Sequence, residues 1–336
     1  MPASLHDVAR MVGVSISTVS RALHRPHMVD AATRERVQAA VDALAYVPQG
    51  VGRALVSRQT RTVGAVIPQI GVSAFAQTVE ALRARLGERG YTLLLAQPPH
   101  ARQSDVDPLR ALIERGVDGA VLLGGGRPDS WTELIRKSRL PAVTIWEDAA
   151  LAQPGDVGFD NYGAGRIAAA HLLELGHRDF AMISGTLAGN RRARQRYLGV
   201  LETIAAAGGR LPRDYVVETE YGFATGHAAA RSLLAGGARF TALVCGNDYL
   251  AIGAMSALRE HGVSIPGEIS VVGFNDSEFS AYAAPPLTTV AFPSPEIGVA
   301  AADMLLARMD GGQAPDPVML ATRLVVREST RALARS

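Results

Sequence analysis

Leu5-His6-Asp7-Val8-Ala9-Arg10-Met11-Val12, then Gly13-Val14-Ser15, then Ile16-Ser17-Thr18-Val19-Ser20-Arg21-Ala22-Leu23-His24 decide how this chain begins. Positions 5, 8, 9 and 12 are apolar at helical spacing, and Ser4 stands where a cap is needed. Gly13 stops that helix. The second helix puts Val19, Ala22 and Leu23 on one face and Ser17, Ser20, Arg21 and His24 on the other. Two short amphipathic helices joined by such a turn let the second lie in a DNA major groove, with Arg21 reaching guanine O6/N7 or a phosphate. Taken alone, the pair reads more readily as an ordinary helical hairpin with a solvated polar face. A third helix is predicted from the N-cap Asp30 through Val37, Ala40, Val41 and Leu44, ending before Tyr46-Val47-Pro48.

Charge follows the same division. The first 60 residues hold seven arginines against four acids, whereas the whole 336-residue chain carries a net charge of only +2. A basic head on a near-neutral body fits a polyanionic partner for the head. With 48% hydrophobic residues the rest can bury more than one core, and its 34 glycines and 18 prolines are dispersed. The start of the chain lacks the pattern of a secretory signal and no apolar run approaches the roughly 20 residues of a membrane span. A cytoplasmic protein with no membrane partner is expected. The single cysteine, Cys245, is expected as a small buried strand residue, which leaves no cysteine-based metal site.

From Thr62 on, strand-like runs alternate with helical ones. Val63 to Ile67 precedes a helix with Phe75, Val79, Leu82 and Leu86 on one face, and Tyr91 to Ala96 follows. Later strands are predicted at 119–123, 142–145, 180–183, 242–245 and 269–272. The pattern implies parallel sheets covered by helices on both faces. A break at 148–161, containing Pro154-Gly155, separates two such halves.

The head closely resembles that of the LacI/GalR family of transcription regulators. The matching stretches are Leu5-His6-Asp7-Val8-Ala9, Gly13-Val14-Ser15, Thr18-Val19-Ser20-Arg21 and Thr33-Arg34-Glu35-Arg36-Val37. The resemblance extends over nearly the whole chain. It implies an α/β protein: a three-helix helix-turn-helix headpiece (1–48), a hinge helix or linker (49–60), and a two-lobed periplasmic-binding-protein-like body (61–336) with parallel sheets. The body divides into a first lobe of about 61–160 plus 291–320 and a second of about 161–290 plus 321–336, the chain crossing near Leu287-Thr288-Thr289-Val290 and around Ala321 to Leu324.

The family's function would then be sequence-specific DNA binding, mostly repression, controlled by a small molecule between the lobes. Ile16, Ser17 and Arg21 fall against base edges, Ser15, Thr18 and Ser20 nearer the phosphates, and His24 on the same outward face. Ile16 and Ser17 cannot make bidentate base contacts, which leaves Arg21 as the main polar reader. Residues 49–57 match the hinge segment that inserts a paired leucine into the minor groove, here Leu55, with Val51 beside the duplex. Gly50 and Gly52 depart from better helix formers there, at about 1 kcal/mol each; a plain flexible linker is the other reading.

For the effector, the resemblance nominates Phe75, Asp160, Arg196, Tyr221, Asn247 and Asn275. Phe75 and Tyr221 read equally as core aromatics, and Asp248 is expected to cap the helix after Asn247 while Asn247 meets ligand. Asn275, where the family often has an acid, and Arg191-Arg192 raise the local positive potential. With Val157-Gly158-Phe159-Asp160-Asn161, similar to gluconate-type regulators, they point to a sugar acid such as gluconate, a neutral sugar being the alternative. The remaining expected partners are pseudo-palindromic double-stranded operator DNA and a second copy in a homodimer, because two heads on such a site need a two-fold partner; the tail to Ser336 has no apolar heptads that would join dimers into tetramers. No cofactor and no metal are expected.

An enzyme is disfavoured, since no phosphate-loop lysine motif, His-Glu-x-x-His or Gly-x-Ser-x-Gly is found. Gly124-Gly125-Gly126 is an incomplete phosphate motif, and His177 falls in a helix-to-strand turn. A sugar-binding protein without DNA function shares the body fold, but would need a secretion signal in place of a DNA-binding head.

Overall fold

The computed structural model describes residues 3–47, 59–67, 73–97, 106–124, 129–313 and 315–333. They fall into two compact units, residues 1–60 and 61–336.

The described residues of the first unit form three α-helices: α1 (Leu5–Val12), α2 (Ile16–His24) and α3 (Ala31–Ala43). Each begins on a side-chain cap. Ser4 accepts from the Asp7 amide while the Asp7 carboxylate reaches back to Ser4, a reciprocal capping box. Those bonds from Ser4 hold the Asp7 carboxyl below its usual range. Ser15 caps α2 through the Thr18 amide at 3.2 Å, and Asp30 caps α3 through the Thr33 amide at 2.9 Å. Gly13 closes α1 at φ +73°, in the left-handed region that favours glycine. Val8, Ala9, Val12, Val19, Val37, Ala40 and Val41 form one core, and the Arg36 guanidinium donates to the Val12 carbonyl, tying α3 to the end of α1. The third helix ends earlier than the proline suggests: Leu44 is its C-cap, and Ala45 turns the chain at φ +46°.

The described residues of the second unit form two six-stranded sheets. The first runs from β1 (Thr62–Val66) through α4 (Ser73–Glu88), β2 (Thr92–Ala96), α5 (Asp107–Glu114), β3 (Gly119–Leu123), α6 (Asp129–Ser138) and β4 (Ala142–Asp148) to β5 (Asp156–Phe159). The second comprises α7 (Asn161–Glu174), β6 (Phe180–Gly185), α8 (Arg191–Ala206), β7 (Val216–Thr219), α9 (Phe223–Ala235), β8 (Ala242–Cys245), α10 (Asp248–Glu260), β9 (Ser270–Asn275) and β10 (Thr288–Ala291). The chain then returns to the first sheet with α11 (Ser294–Met309) and β11 (Val318–Leu320), and to the second with β12 (Arg323–Val325). Strand orders are β11-β5-β4-β3-β1-β2 and β12-β10-β9-β8-β6-β7, parallel throughout except for β12 against β10. Among the described residues no helix is long and apolar enough to cross a membrane.

One departure from the sequence reading matters for function. The stretch read as a break contains β5, and β4 reaches it through a bulge at Trp146, whose φ is +60°. Four residues including an acid and a glycine have little strand propensity, so this strand exists because β4 and β11 flank it with hydrogen-bonding edges. In the second sheet, α7 and α8 touch backbone to backbone. A Cβ on Gly165 would stand 2.2 Å from the Arg196 carbonyl oxygen and one on Gly199 2.1 Å from that of Tyr162. That approach fixes where Arg196 emerges.

Candidate DNA interface and effector site

On α2, Ser15, Ile16, Ser17 and Arg21 are exposed, whereas Thr18 and Ser20 are half-buried and Val19 is fully buried. The Ser15 hydroxyl pairs with those of Ser17 and Thr18, each at 2.8 Å. The cap that starts the helix thus gathers three hydroxyls at its N-terminus, where backbone N–H groups and the helix dipole favour a phosphate. Arg21 lies beyond them, one and a half turns into the helix. The His24 side chain and the hinge residues Val51 and Leu55 lie outside the described residues.

In the second unit, the candidate site sits where parallel strands end, the usual place for ligands in open α/β sheets. Its floor is aromatic. Trp146 meets Phe75, Phe159 and Phe292 edge-on with ring centroids 5.0, 5.4 and 6.0 Å apart, and Phe292 lies 4.4 Å from Phe159 and 6.0 Å from Phe274. The Trp146 indole N–H donates to Thr78 Oγ1 at 3.1 Å, which accounts for its one polar atom.

Above this floor lies Arg196, 6% exposed, with its guanidinium carbon 5.7 and 5.6 Å from the ring centres of Phe274 and Phe292. Nη1 donates to Asn161 Oδ1 at 2.7 Å and Nη2 to the Tyr221 hydroxyl at 3.0 Å. Two buried donors in this group, Arg196 Nε and Asn161 Nδ2, have no acceptor. Tyr221 lies across Gly185 at the end of β6; a Cβ on Gly185 would fall 2.4 Å from its ring.

One turn earlier on α8, Arg192 reaches the other sheet. Its Nη1 donates to the carbonyl of Gly124, just after β3, at 2.6 Å, and its guanidinium carbon lies 5.8 Å from the Phe75 ring centre. Burial and the charge of Arg196 lower the Arg192 pKa to about 10, with Tyr221 and Glu147 acting the other way.

One sequence expectation is corrected, the helix cap expected of Asp248. Asp160 is exposed and caps α7 through the Gly163 amide at 2.8 Å; the buried partner of Arg196 is its neighbour Asn161. Asn247, not Asp248, caps α10, accepting from the Leu250 amide at 2.9 Å. Asp248 is instead fully buried, accepting from the Ser277 amide and the Thr289 hydroxyl, each at 2.7 Å, and burial raises its pKa to about 6. Asn275, buried at the end of β9, has φ +113°, and the following Asp276 is held by Arg327 at 2.6 Å. Phe75 and Tyr221 are both half-buried and both touch an arginine. Sequence reading gave no role to Trp146, Phe274 or Phe292, which meet only in three dimensions.

The family model described as "Bacterial regulatory proteins, lacI family" matches residues 4–49, and one described as "Periplasmic binding protein-like domain" matches 169–330. The HTH-type transcriptional repressor PurR of Vibrio campbellii is 31% identical over 98% of this chain and 99% of its own length. The chain belongs to the LacI family. A solved lac repressor dimer, bound to operator and the anti-inducer ONPF, superposes with a TM-score of 0.87 at 28% identity over 99% of this chain and 100% of that one. A complex of the transcriptional regulator CelR with cellobiose gives 0.72 at 30% identity over 97% and 99%. This LacI-family chain is therefore a DNA-binding transcriptional regulator and not an enzyme, with the family's head and its two-sheet body.

Proposed function

We propose that this LacI-family regulator is a cytoplasmic repressor, acting as a homodimer on a pseudo-palindromic operator and controlled by a sugar or sugar acid held at the strand ends of its body. The observation that carries the effector reading is the Arg196 cluster: a buried guanidinium on aromatic rings, next to two donors that lack acceptors. Buried polar groups in native proteins are nearly always hydrogen-bonded, so unpaired donors beside aromatic faces suit a ligand rich in acceptor oxygens and with an apolar ring or carbon face. The relative whose solved complex contains cellobiose supports the saccharide class.

In this reading Arg196, Asn161, Tyr221 and Phe75 hold the effector, with Asn247 and Asn275 at neighbouring strand ends. The first lobe comprises about 61–160 plus 291–320 and the second the remainder of the body. Ser15, Thr18 and Ser20 meet phosphates, Ile16, Ser17 and Arg21 meet bases, and Val51 and Leu55 enter the minor groove. A melting-temperature screen of the full chain against sugars, sugar acids and purines tests the class, because a ligand bound only by the folded state raises that temperature. Stabilisation by purines alone would replace the sugar reading.

A further inference from the structure

We propose that Arg192 is the specificity residue of this effector site, selecting a carboxylate-bearing ligand over its neutral analogue and exchanging the Gly124 carbonyl for that carboxylate when it binds. The inference rests on the effector reading above and narrows it to a class of ligand.

Arg192 and Arg196 stand four residues apart on α8, so their side chains share a helix face. Like charges at this spacing repel. Both guanidiniums lie over aromatic rings, Arg196 buried and Arg192 half-buried, and among the described residues neither forms an ion pair with a carboxylate. Arg196 is satisfied at two nitrogens by neutral oxygens, from Asn161 and Tyr221. Arg192 has one neutral carbonyl, that of Gly124. The acids at hand have other work: Asp248 accepts from Ser277 and Thr289, Asp276 pairs with Arg327, and Asp160 caps α7. Glu147, close to Gly124, only partly offsets the charge of Arg192.

Two guanidiniums on one helix face, one buried and one half-buried and neither in an ion pair, favour an anion. A neutral sugar could accept from Arg196 Nε and Asn161 Nδ2, but it would bring neither guanidinium an ion-pair partner. A sugar acid supplies hydroxyls for those donors and a carboxylate for Arg192. A hydrogen bond to a carboxylate is roughly twice as strong as one to a neutral acceptor, so the carboxylate displaces the Gly124 carbonyl. Because that carbonyl follows β3 in the first sheet and Arg192 belongs to the second, the exchange replaces a direct tie between the sheets with one through the ligand.

The test is calorimetric titration of the full chain with D-gluconate and D-glucuronate, and with the neutral D-glucose and D-glucitol. The wild type is expected to bind at least one acid about tenfold or more tighter than its neutral counterpart. Arg192→Gln should erase that preference while retaining the weaker neutral binding, and Arg192→Lys should restore part of it. Arg196→Ala should weaken acids and neutral sugars alike. If Arg196→Ala does so while Arg192→Gln binds the acids as the wild type does, the effector site stands and the role of Arg192 falls. A wild type that binds neutral sugars as tightly as the acids, or binds neither acid, overturns the proposal. Binding of any probe unaffected by Arg196→Ala removes the effector reading beneath it as well.

Discussion

Arg196 and Asn161 are joined by a 2.7 Å hydrogen bond inside the body, yet each keeps one buried nitrogen without a partner. The pair links α8 to the start of α7 and brings those donors to one place. An unmet buried donor costs about 1–3 kcal/mol, which a ligand acceptor can recover on binding. Asn161→Leu removes the orphan amide but strands Arg196 Nη1. Effector affinity should therefore fall about tenfold or more, with the fold retained, as measured by calorimetry and melting temperature.

Arg21 is exposed on α2 beyond the three hydroxyls at its N-terminus. Arg21→Ala is expected to cost about 1–3 kcal/mol of operator affinity and to relax base preference at one position of each half-site. Fluorescence anisotropy at fixed salt against operator variants measures both. A uniform loss across all sequences would make Arg21 a phosphate contact.

Two glycines in the body separate packing from binding. Gly199→Ala puts a Cβ against the Tyr162 backbone carbonyl, which cannot swing aside, so a destabilisation of about 1–3 kcal/mol is expected in denaturant titration. Gly185→Ala instead meets the far end of the Tyr221 side chain. The ring can move, so stability should change little while effector affinity drops with the loss of the bond from Arg196 to Tyr221.

Two buried titrating groups act in opposite directions with pH. Burial lowers the folded pKa of His177, held by Thr241 and Ser270 hydroxyls and the Arg331 carbonyl, below its reference value of 6.5. The unfolded chain then takes up the proton first, and stability is lost as pH falls below about 6.5. For Asp248 the folded value of about 6 exceeds the reference 3.8, so its burial costs stability as pH rises from about 4 to 6. His177→Gln should flatten the acid-side loss of melting temperature below 6.5, and Asp248→Asn should steepen it by removing the opposing contribution.

Legibility in the sequence tracked how local each feature is. Ser4, Gly13, Ser15 and Asp30 act on residues within a turn of themselves, and their pattern identifies the head directly. The alternation of strand and helix gives the body. At the site, sequence put the cap of α10 on Asp248 where Asn247 makes it, and did not single out Asn161 as the partner of Arg196. Which residue of such a pair caps and which turns inward depends on where the preceding strand lets go, a matter of neighbouring strands. Trp146, Phe159, Phe274 and Phe292 come from four separate strand ends, so no local pattern announces their cluster. β5 was unreadable for the same reason.

The most direct test of the account is an operator titration of the full chain, with and without the ligand that raises its melting temperature, in the wild type and in Arg196→Ala. A ligand shifts DNA affinity only through its different affinities for two arrangements of the body, with typical coupling of about 1–3 kcal/mol, or 5- to 150-fold. The wild type should show a shift in that range, whereas Arg196→Ala should bind operator normally without ligand and show no shift with it. An Arg196→Ala chain that still responds at wild-type ligand concentrations would contradict the account and place the effector elsewhere.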